Sequence, residues 1–220
     1  AIDSSRGRNG RADLATSTSV LAGIVGDQGD RQAAIELFED ALALVRETHP
    51  KEHPEVAAAV SNLAEALNRD AARLIDAREF DAAESLLRQA IEQDPGFAPA
   101  YANLGVVHTG RGHAGAALEA MARSVELAPD RSDLRLNLAD ALARNWRLED
   151  AIAHYREVLA RDPKNARARA LMLRPLLDTC EWAEAEAQIE FLVSAWRSGP
   201  RGPGAGEVVP LDNGVTTVPP

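Results

Sequence analysis

A fixed interval of 34 residues separates Pro95, Pro129 and Pro163. Apolar residues recur in the same phase, with a small residue twelve positions and a large residue eight positions before each proline. The small residues are Ala83, Ala117, Ala151 and, in phase, Ala185; the large ones are Leu87, Met121, Tyr155 and Ile189. Residues four positions apart share a helix face, and a small residue beside a large one lets two helices pack closely. The interval therefore predicts a chain of repeated helical hairpins.

Composition favours helices over strands. Aromatic residues make up only 4% of the 220 positions, and alanine and leucine dominate the middle of the chain. Alanine and leucine are strong helix formers, whereas strands prefer aromatic and β-branched residues. Because 45% of the residues are hydrophobic, the chain is also long and apolar enough to build its own core. We therefore expect an all-α protein.

The charge balance narrows the class of partner. The formal net charge is −10 and the isoelectric point is near 5.0. Nucleic acids and anionic membranes attract clustered lysine and arginine, so we expect neither as a partner. A neutral or basic protein or peptide is expected instead. No apolar run approaches the roughly 20 residues of a membrane-spanning helix, which predicts a soluble, cytoplasmic protein.

The repeat resembles the tetratricopeptide repeat, a helix-turn-helix motif of the same length. The segment 98–131 matches it best. The matching residues are Tyr101, Leu104, Gly105, His108, Ala117, Met121, Ser124 and Pro129. The resemblance implies a right-handed superhelical solenoid of antiparallel helix hairpins, in which the first helix of each hairpin lines a concave face. It also implies a protein-interaction scaffold that binds a protein or peptide on that face.

The repeat phase predicts an array over residues 13–197, preceded by a flexible segment at 1–12 and followed by a Gly/Pro-rich tail or linker at 198–220. Its five hairpins are predicted at 15–47, 54–97, 98–131, 132–165 and 166–197. No glycine or proline lies between Glu55 and Asp94, so the first helix of the second hairpin is either unusually long or broken near residues 68–70. Pro175 lies inside the first helix of the last hairpin, where it predicts a kink.

Two further resemblances are local. The joint before the second hairpin, with its pair His53 and Pro54, is similar to the longer repeat of kinesin light chains. The triplet Cys180, Glu181 and Trp182, followed by an amphipathic helix, resembles the end of the repeat region in bacterial O-GlcNAc transferase and SPINDLY-like proteins. That resemblance implies an alternative function, as the substrate-recruiting arm of a glycosyltransferase whose catalytic domain is not in this chain. The amphipathic last helix leaves self-association as a further option.

Three asparagines on predicted first helices are candidates for partner binding. Asn62, Asn103 and Asn137 each precede a leucine followed by a small residue. An asparagine amide can both donate to and accept from a peptide backbone. In the O-GlcNAc transferase family the matching asparagines form a ladder that holds extended peptides. The alternative is that they hydrogen-bond between neighbouring helices of the array.

Two acidic residues extend this candidate surface. Asp133, Asn137 and Asp140 are spaced i, i+4 and i+7, which places them on one helix face. Such a face suits a basic or hydroxyl-rich ligand. The alternative is an ordinary solvated helix surface with no ligand.

The sequence predicts no metal, cofactor or catalytic residue in this chain. His49 and His53 are four positions apart, but Pro50 and Pro54 disfavour a helix through both, and no third cysteine or histidine lies near. We therefore expect a loop there. The single cysteine, Cys180, has acidic neighbours that disfavour its thiolate, which predicts a buried structural cysteine.

Overall fold

A computed structural model of the protein describes residues 2–198, with side chains from residue 10 onward. This part of the chain forms ten α-helices and no strand. The helices are α1 (Ile2–Asp27), α2 (Arg31–Thr48), α3 (Pro54–Asp76), α4 (Phe80–Gln93), α5 (Ala98–Gly110), α6 (Ala114–Leu127), α7 (Ser132–Arg144), α8 (Leu148–Arg161), α9 (Ala166–Asp178) and α10 (Trp182–Ser198). Each odd-numbered helix pairs with the even-numbered helix that follows, as the repeat phase predicts.

The turn inside each hairpin contains one residue in the left-handed backbone region. Gly29 and Gly112 have φ angles of 98° and 78°, while Arg78, Trp146 and Cys180 have φ angles of 61°, 58° and 61°. The backbone N–H of the residue that follows the turn residue donates to a carbonyl of the first helix, at 2.8 to 3.0 Å; this holds after Arg78, Gly112, Trp146 and Cys180. This is the usual way for a helix to end in a sharp turn. The turn residue, and not the proline alone, therefore determines where each hairpin turns.

The second hairpin has the long first helix of the two alternatives. α3 runs without interruption from Pro54 to Asp76. Its start is fixed by Pro54 at the first helical position and by His53, whose Nδ1 accepts from the backbone N–H of Glu55 at 3.3 Å. Pro175 lies inside α9, as its sequence position predicts, and is buried; the kink there stays a prediction.

One expectation, that for Cys180, was wrong, and one segment has a form that was not expected. The segment 1–12, predicted to be flexible, is helical from Ile2 onward, and Arg11 forms an ion pair of 3.1 Å with Glu47 of α2; its flexibility stays a prediction. Cys180 is exposed rather than buried, because it occupies the left-handed turn after α9. The predicted tail lies outside the described residues except for Ser198, which ends α10.

The first helices form the inner side of the array. α1, α3, α5, α7 and α9 contact one another in turn, whereas no two of the second helices make such contacts within the described residues. The repeats are therefore closest together along their first helices, which places these on the concave side. Two buried clusters fill the array, and α5 contributes residues to both. None of the described helices is both long and apolar enough to span a bilayer.

Candidate functional site

The three candidate asparagines all lie on first helices but in different surroundings. Asn62 is exposed on α3, in a cleft of about 290 Å³ whose other walls are α1 and α2. Asn137 is half-buried on α7. Asn103 is half-buried on α5, and its Nδ2 donates to Oδ1 of Asn68 on α3 at 2.8 Å. The Asn103 amide thus links two neighbouring first helices, which is the alternative that the sequence left open for these asparagines.

Asn62 is out of register with the other two. Asn103 and Asn137 are 34 positions apart, but Asn62 precedes Asn103 by 41. The structure shows why: Asn68, six positions further along the long helix α3, is the residue that faces Asn103. The three asparagines therefore do not form an evenly spaced ladder.

Both candidate acids are held by arginines on the surface. Asp133 accepts two hydrogen bonds from Arg131, at 2.8 and 2.6 Å, and these bonds lower the pKa of the Asp133 carboxyl. Asp140 accepts one from Arg144 one helical turn later, at 2.9 Å. Asp133 is the more fully occupied of the two, because both of its oxygens are engaged. Asp140 keeps one carboxylate oxygen free of the Arg144 bond.

Asp140 lies in a second cleft, of about 350 Å³, between α7, α8 and α9. The cleft is lined by charged side chains at its rim and by aromatic residues. Its main lining residues are Asp140, Arg144, Trp146, Tyr155, Arg174 and Asp178. Each acid of the rim pairs with an arginine four positions away on the same helix. The rim is therefore close to neutral overall and offers both donors and acceptors.

Trp146 is exposed at one side of this cleft in a backbone conformation that disfavours it. Its side chain is 73% exposed and its φ is 58°. A left-handed backbone costs a residue with a Cβ about 1–2 kcal/mol, and glycine avoids that cost. The equivalent residue one repeat earlier is Gly112. A large aromatic residue therefore occupies a turn position where the fold itself favours glycine.

Tyr155 also lines this cleft, with its hydroxyl buried behind the surface. The residue is fully buried, and its hydroxyl has no hydrogen-bond partner among the described residues. Burial raises the pKa of this hydroxyl, and the negative charge of Asp140 raises it further. The hydroxyl stays protonated and can donate one hydrogen bond and accept others. A buried polar group without a partner is costly.

The sequence predicted Asp140 as a site residue but missed Trp146 and the Tyr155 hydroxyl. Tyr155 was identified from the repeat phase as a packing residue, which it is. The signal for Trp146 was present in the same phase, since it follows Gly112 by 34 positions and precedes Cys180 by 34. Arg78 and Cys180 occupy the equivalent turn positions of other repeats, so the large exposed ring, rather than the left-handed backbone, distinguishes Trp146.

The loop between α2 and α3 groups three further polar side chains. His49 and His53 lie in this loop, as predicted, and Glu55 follows in the first turn of α3. One ligand atom of each residue lies within 4.8 Å of the others. In the sequence, only a cysteine or a histidine was expected as a third metal ligand, so Glu55 was missed.

Comparison with known proteins identifies the repeat. Models of the tetratricopeptide repeat match residues 14–55, 69–130, 110–166 and 144–193, together more than half of the chain. No curated protein matches the sequence.

Solved structures share the fold at low sequence identity. The tetratricopeptide repeat protein YrrB has a TM-score of 0.58 at 16% identity, over 82% of this chain and 86% of YrrB. The MamA protein has a TM-score of 0.61 at 18% identity, over 86% and 98%. A putative kinesin light chain of Podosopora anserina has a TM-score of 0.53 at 20% identity, over 86% and 98%.

These findings confirm the predicted all-α superhelical solenoid, an architecture suited to a protein-interaction scaffold. The chain belongs to the tetratricopeptide repeat family.

Proposed function

We propose that this chain is a cytoplasmic scaffold that binds an extended peptide, or an extended segment of a protein, along the concave surface formed by α1, α3, α5, α7 and α9. The cleft between α7 and α9 supports this proposal most directly. Its lining includes the exposed ring of Trp146, Asp140 with one free carboxylate oxygen, and Tyr155, whose buried hydroxyl has no partner among the described residues. Groups of this kind gain hydrogen bonds or contacts only when a ligand is bound.

The asparagines are proposed to contact the backbone of the bound segment. Each residue of an extended peptide offers one N–H and one C=O. Asn62 is exposed and can pair with both groups. Asn103 donates to Asn68, so its own oxygen is left to accept a peptide N–H. Asn137 lies on α7 near the cleft, on the helix face that also presents Asp133 and Asp140.

The cleft between α7 and α9 suits a long side chain with a polar end, such as lysine or arginine. The face of Trp146 attracts a cation, and the apolar stem of such a side chain packs on the ring. The free oxygen of Asp140 accepts a hydrogen bond from the cationic group. A threonine or serine hydroxyl could pair with Tyr155 instead. The proposed partner is therefore neutral or basic, in keeping with the net charge of −10.

One of the structural relatives supports this use of the fold. YrrB is described as a tetratricopeptide repeat protein with an unusual peptide-binding site. The present chain shares its fold at 16% identity. The position proposed for the site in this chain is inferred from the residues of this chain and not from YrrB.

A phage-displayed library of random peptides tests the proposal. Peptides selected on the wild-type chain are measured by calorimetry against Trp146→Gly, Tyr155→Phe, Asp140→Asn and the triple change of Asn62, Asn103 and Asn137 to alanine. Loss of one hydrogen bond at Tyr155 should weaken binding about 3–10-fold, and loss of the Trp146 ring should weaken it more.

The matched control is Glu119→Gln, an exposed change on the outer helix α6. Selected peptides should bind this variant as they bind the wild-type chain. Peptides that ignore all four concave variants but lose affinity for the Glu119 variant would move the site to the outer surface and contradict the proposal.

A second proposal is the alternative function as a glycosyltransferase arm. It is favoured by an exposed apolar stripe on α10, formed by Trp182, Ile189, Val193 and Trp196 at exposures of 39–65%. A catalytic domain that continues the chain would cover this stripe. The test is to incubate the product of the complete gene with a labelled nucleotide sugar and a cell extract. Labelled proteins are expected, and an unlabelled extract would contradict this alternative.

A further inference from the structure

His49 and Glu55 face each other across the loop between α2 and α3. Nε2 of His49 lies 3.6 Å from Oε2 of Glu55, and the ring of His53 lies 4.0 Å from that of His49, centroid to centroid. Two ligand atoms bound to one tetrahedral zinc ion, each about 2.0–2.1 Å from it, are about 3.4 Å apart. The observed spacing is therefore close to that of two atoms on a shared metal ion.

A hydrogen bond outside the cluster orients the ring of His49. Nδ1 of His49 lies 2.8 Å from Oγ1 of Thr48. The hydroxyl of Thr48 donates to the carbonyls of Leu44 and Val45, each at 3.1 Å. When the Thr48 hydroxyl gives its one proton to either carbonyl, its oxygen can accept from Nδ1–H of His49. In that tautomer Nε2 carries a lone pair on the side of the Glu55 carboxylate.

Nε2 of His49 and Oε2 of Glu55 are both atoms that a metal ion can bind, and they lie close enough to share one ion. Histidines that bind metals usually donate their other ring N–H to an oxygen, and Oγ1 of Thr48 is placed to accept one from His49.

His53 supplies a third lone pair that is only weakly used. Its Nδ1 accepts from the backbone N–H of Glu55 at 3.3 Å, longer than most hydrogen bonds of this type. A metal ion can take the place of that N–H with a small turn of the ring. The backbone on either side is held by a turn in which the N–H of His53 donates to the carbonyl of Pro50 at 3.0 Å, and by Pro54 at the start of α3.

We propose that His49, His53 and Glu55 form a binding site for a first-row divalent metal ion, with Zn²⁺ as the best fit. Two imidazoles and one carboxylate are a known zinc donor set that leaves a fourth position open. Magnesium and calcium prefer oxygen ligands only and fit this set poorly. The ion joins the end of α2 to the start of α3 and so fixes the first hairpin against the second. This site is independent of the concave groove.

Isothermal titration calorimetry of the untagged, metal-free chain with zinc chloride tests the proposal. One zinc ion per chain is expected, with a rise in the thermal midpoint because zinc binds the folded loop. Cobalt(II) in the same site should give the visible absorption of a low-coordinate cobalt ion. His49→Gln, His53→Asn and Glu55→Gln should each weaken zinc binding by about tenfold or more, and asparagine at 53 preserves a helix cap.

Thr48→Val distinguishes a built site from chance proximity. This change keeps the shape of the side chain but removes the acceptor for His49 Nδ1–H, so it should also weaken zinc binding, by about tenfold. The matched control is His113→Gln, since His113 also precedes a helix and has a second histidine ring, that of His108, 6.2 Å away. Zinc binding should be unchanged in this variant.

Two results would overturn the proposal. One is a chain that binds no zinc. The other is zinc binding that survives the combined His49, His53 and Glu55 variant. Circular dichroism of each variant verifies that the helices are intact, so that a loss of binding is not a loss of fold.

Discussion

The two halves of the array differ in their regularity. In the C-terminal half, α5 to α10, the first helices have 13 residues each, and α6 and α8 have 14 each. In the N-terminal half, α1 to α4, the first helices have 26 and 23 residues. Turn residues recur every 34 positions from Arg78 to Cys180, but Gly29 precedes Arg78 by 49. The helix lengths are therefore uniform only where the turn residue recurs at the same interval of 34 positions.

The buried core is also divided between the two halves. One buried cluster extends from α1 into α5 and α6, and the other extends from α5 to α10. In a solenoid each repeat contacts only its neighbours, so stability is approximately a sum of local terms. We therefore expect the two halves to respond separately to changes in their own core.

The largest effects are expected from truncation of one leucine in each half. Leu87 and Leu176 are fully buried, one in each cluster. Replacing either with alanine should lower the free energy of unfolding by about 2–5 kcal/mol. Hydrogen exchange should then accelerate mainly in α1 to α4 for Leu87→Ala and mainly in α7 to α10 for Leu176→Ala. Uniform acceleration in both variants would show a single cooperative unit and remove the distinction.

Alanine substitutions at two glycines, one in each half, should change the stability in opposite directions. A Cβ on Gly105 would lie 2.5 Å from Cγ of Met121 and 3.1 Å from the carbonyl oxygen of Ala117. Gly105→Ala should therefore force α5 from α6 and cost about 1–3 kcal/mol. A Cβ on Gly10 meets nothing within 4 Å, so Gly10→Ala should stabilise α1 by about 0.5–1 kcal/mol. Urea unfolding measures both, and a destabilising Gly10→Ala would contradict a helix through residue 10.

The turn residues separate stability from function. Trp146→Gly should raise the free energy of unfolding by about 1 kcal/mol, because glycine adopts the left-handed backbone without the Cβ clash. Gly112→Ala, at the same place in the preceding repeat, should lower it by a similar amount. Thermal unfolding of the two variants provides the measurement. A Trp146→Gly chain that is both less stable and unchanged in peptide binding would show that Trp146 serves packing alone.

The smallest effect concerns the junction between the halves. Glu84 on α4 accepts hydrogen bonds from Arg88, at 2.6 and 2.9 Å, and pairs with Arg111 after α5. The hydrogen bonds from Arg88, and then those from Arg111, lower the pKa of the Glu84 carboxyl. Its contribution to stability is therefore complete above the unfolded pKa of about 4.3 and is lost as the pH falls through the folded pKa.

Glu84→Gln should lower the free energy of unfolding at neutral pH by about 1 kcal/mol or less. The difference from the wild-type chain should disappear in acid, when the wild-type carboxyl is protonated as well. Asp133→Asn is the matched change in the C-terminal half and should have a smaller effect, since Asp133 and Arg131 are both about half exposed. A difference that stays constant across the pH range would exclude the ion pair as its cause.

The sequence predicted the architecture because the period and the packing phase are local signals. Ala117 and Met121 identify the same hairpin in the sequence and in the structure. The sequence left the course of α3 open, because a lack of glycine and proline permits one helix without requiring it. Within the segment 1–12, for which the sequence predicted flexibility and no helix, the described residues from Ile2 onward are helical, and no proline interrupts them.

The site was less predictable, because its geometry depends on contacts between repeats. Only the structure shows that Asn68 faces Asn103 and that Asn62 lies elsewhere. Likewise, Tyr155 fits its packing position in the sequence, and the lack of a partner for its hydroxyl becomes visible only in three dimensions. Glu55 was missed as a neighbour of the two loop histidines, because a loop brings it to them and a helical spacing does not.

A crystal structure of the chain bound to a peptide selected from the random library would test the central claim most directly. We expect an extended peptide on the first helices α3, α5 and α7, with a side chain against Trp146 and a hydrogen bond to the Tyr155 hydroxyl. A peptide bound to the outer helices α6 and α8, with the Trp146 cleft empty, would contradict it.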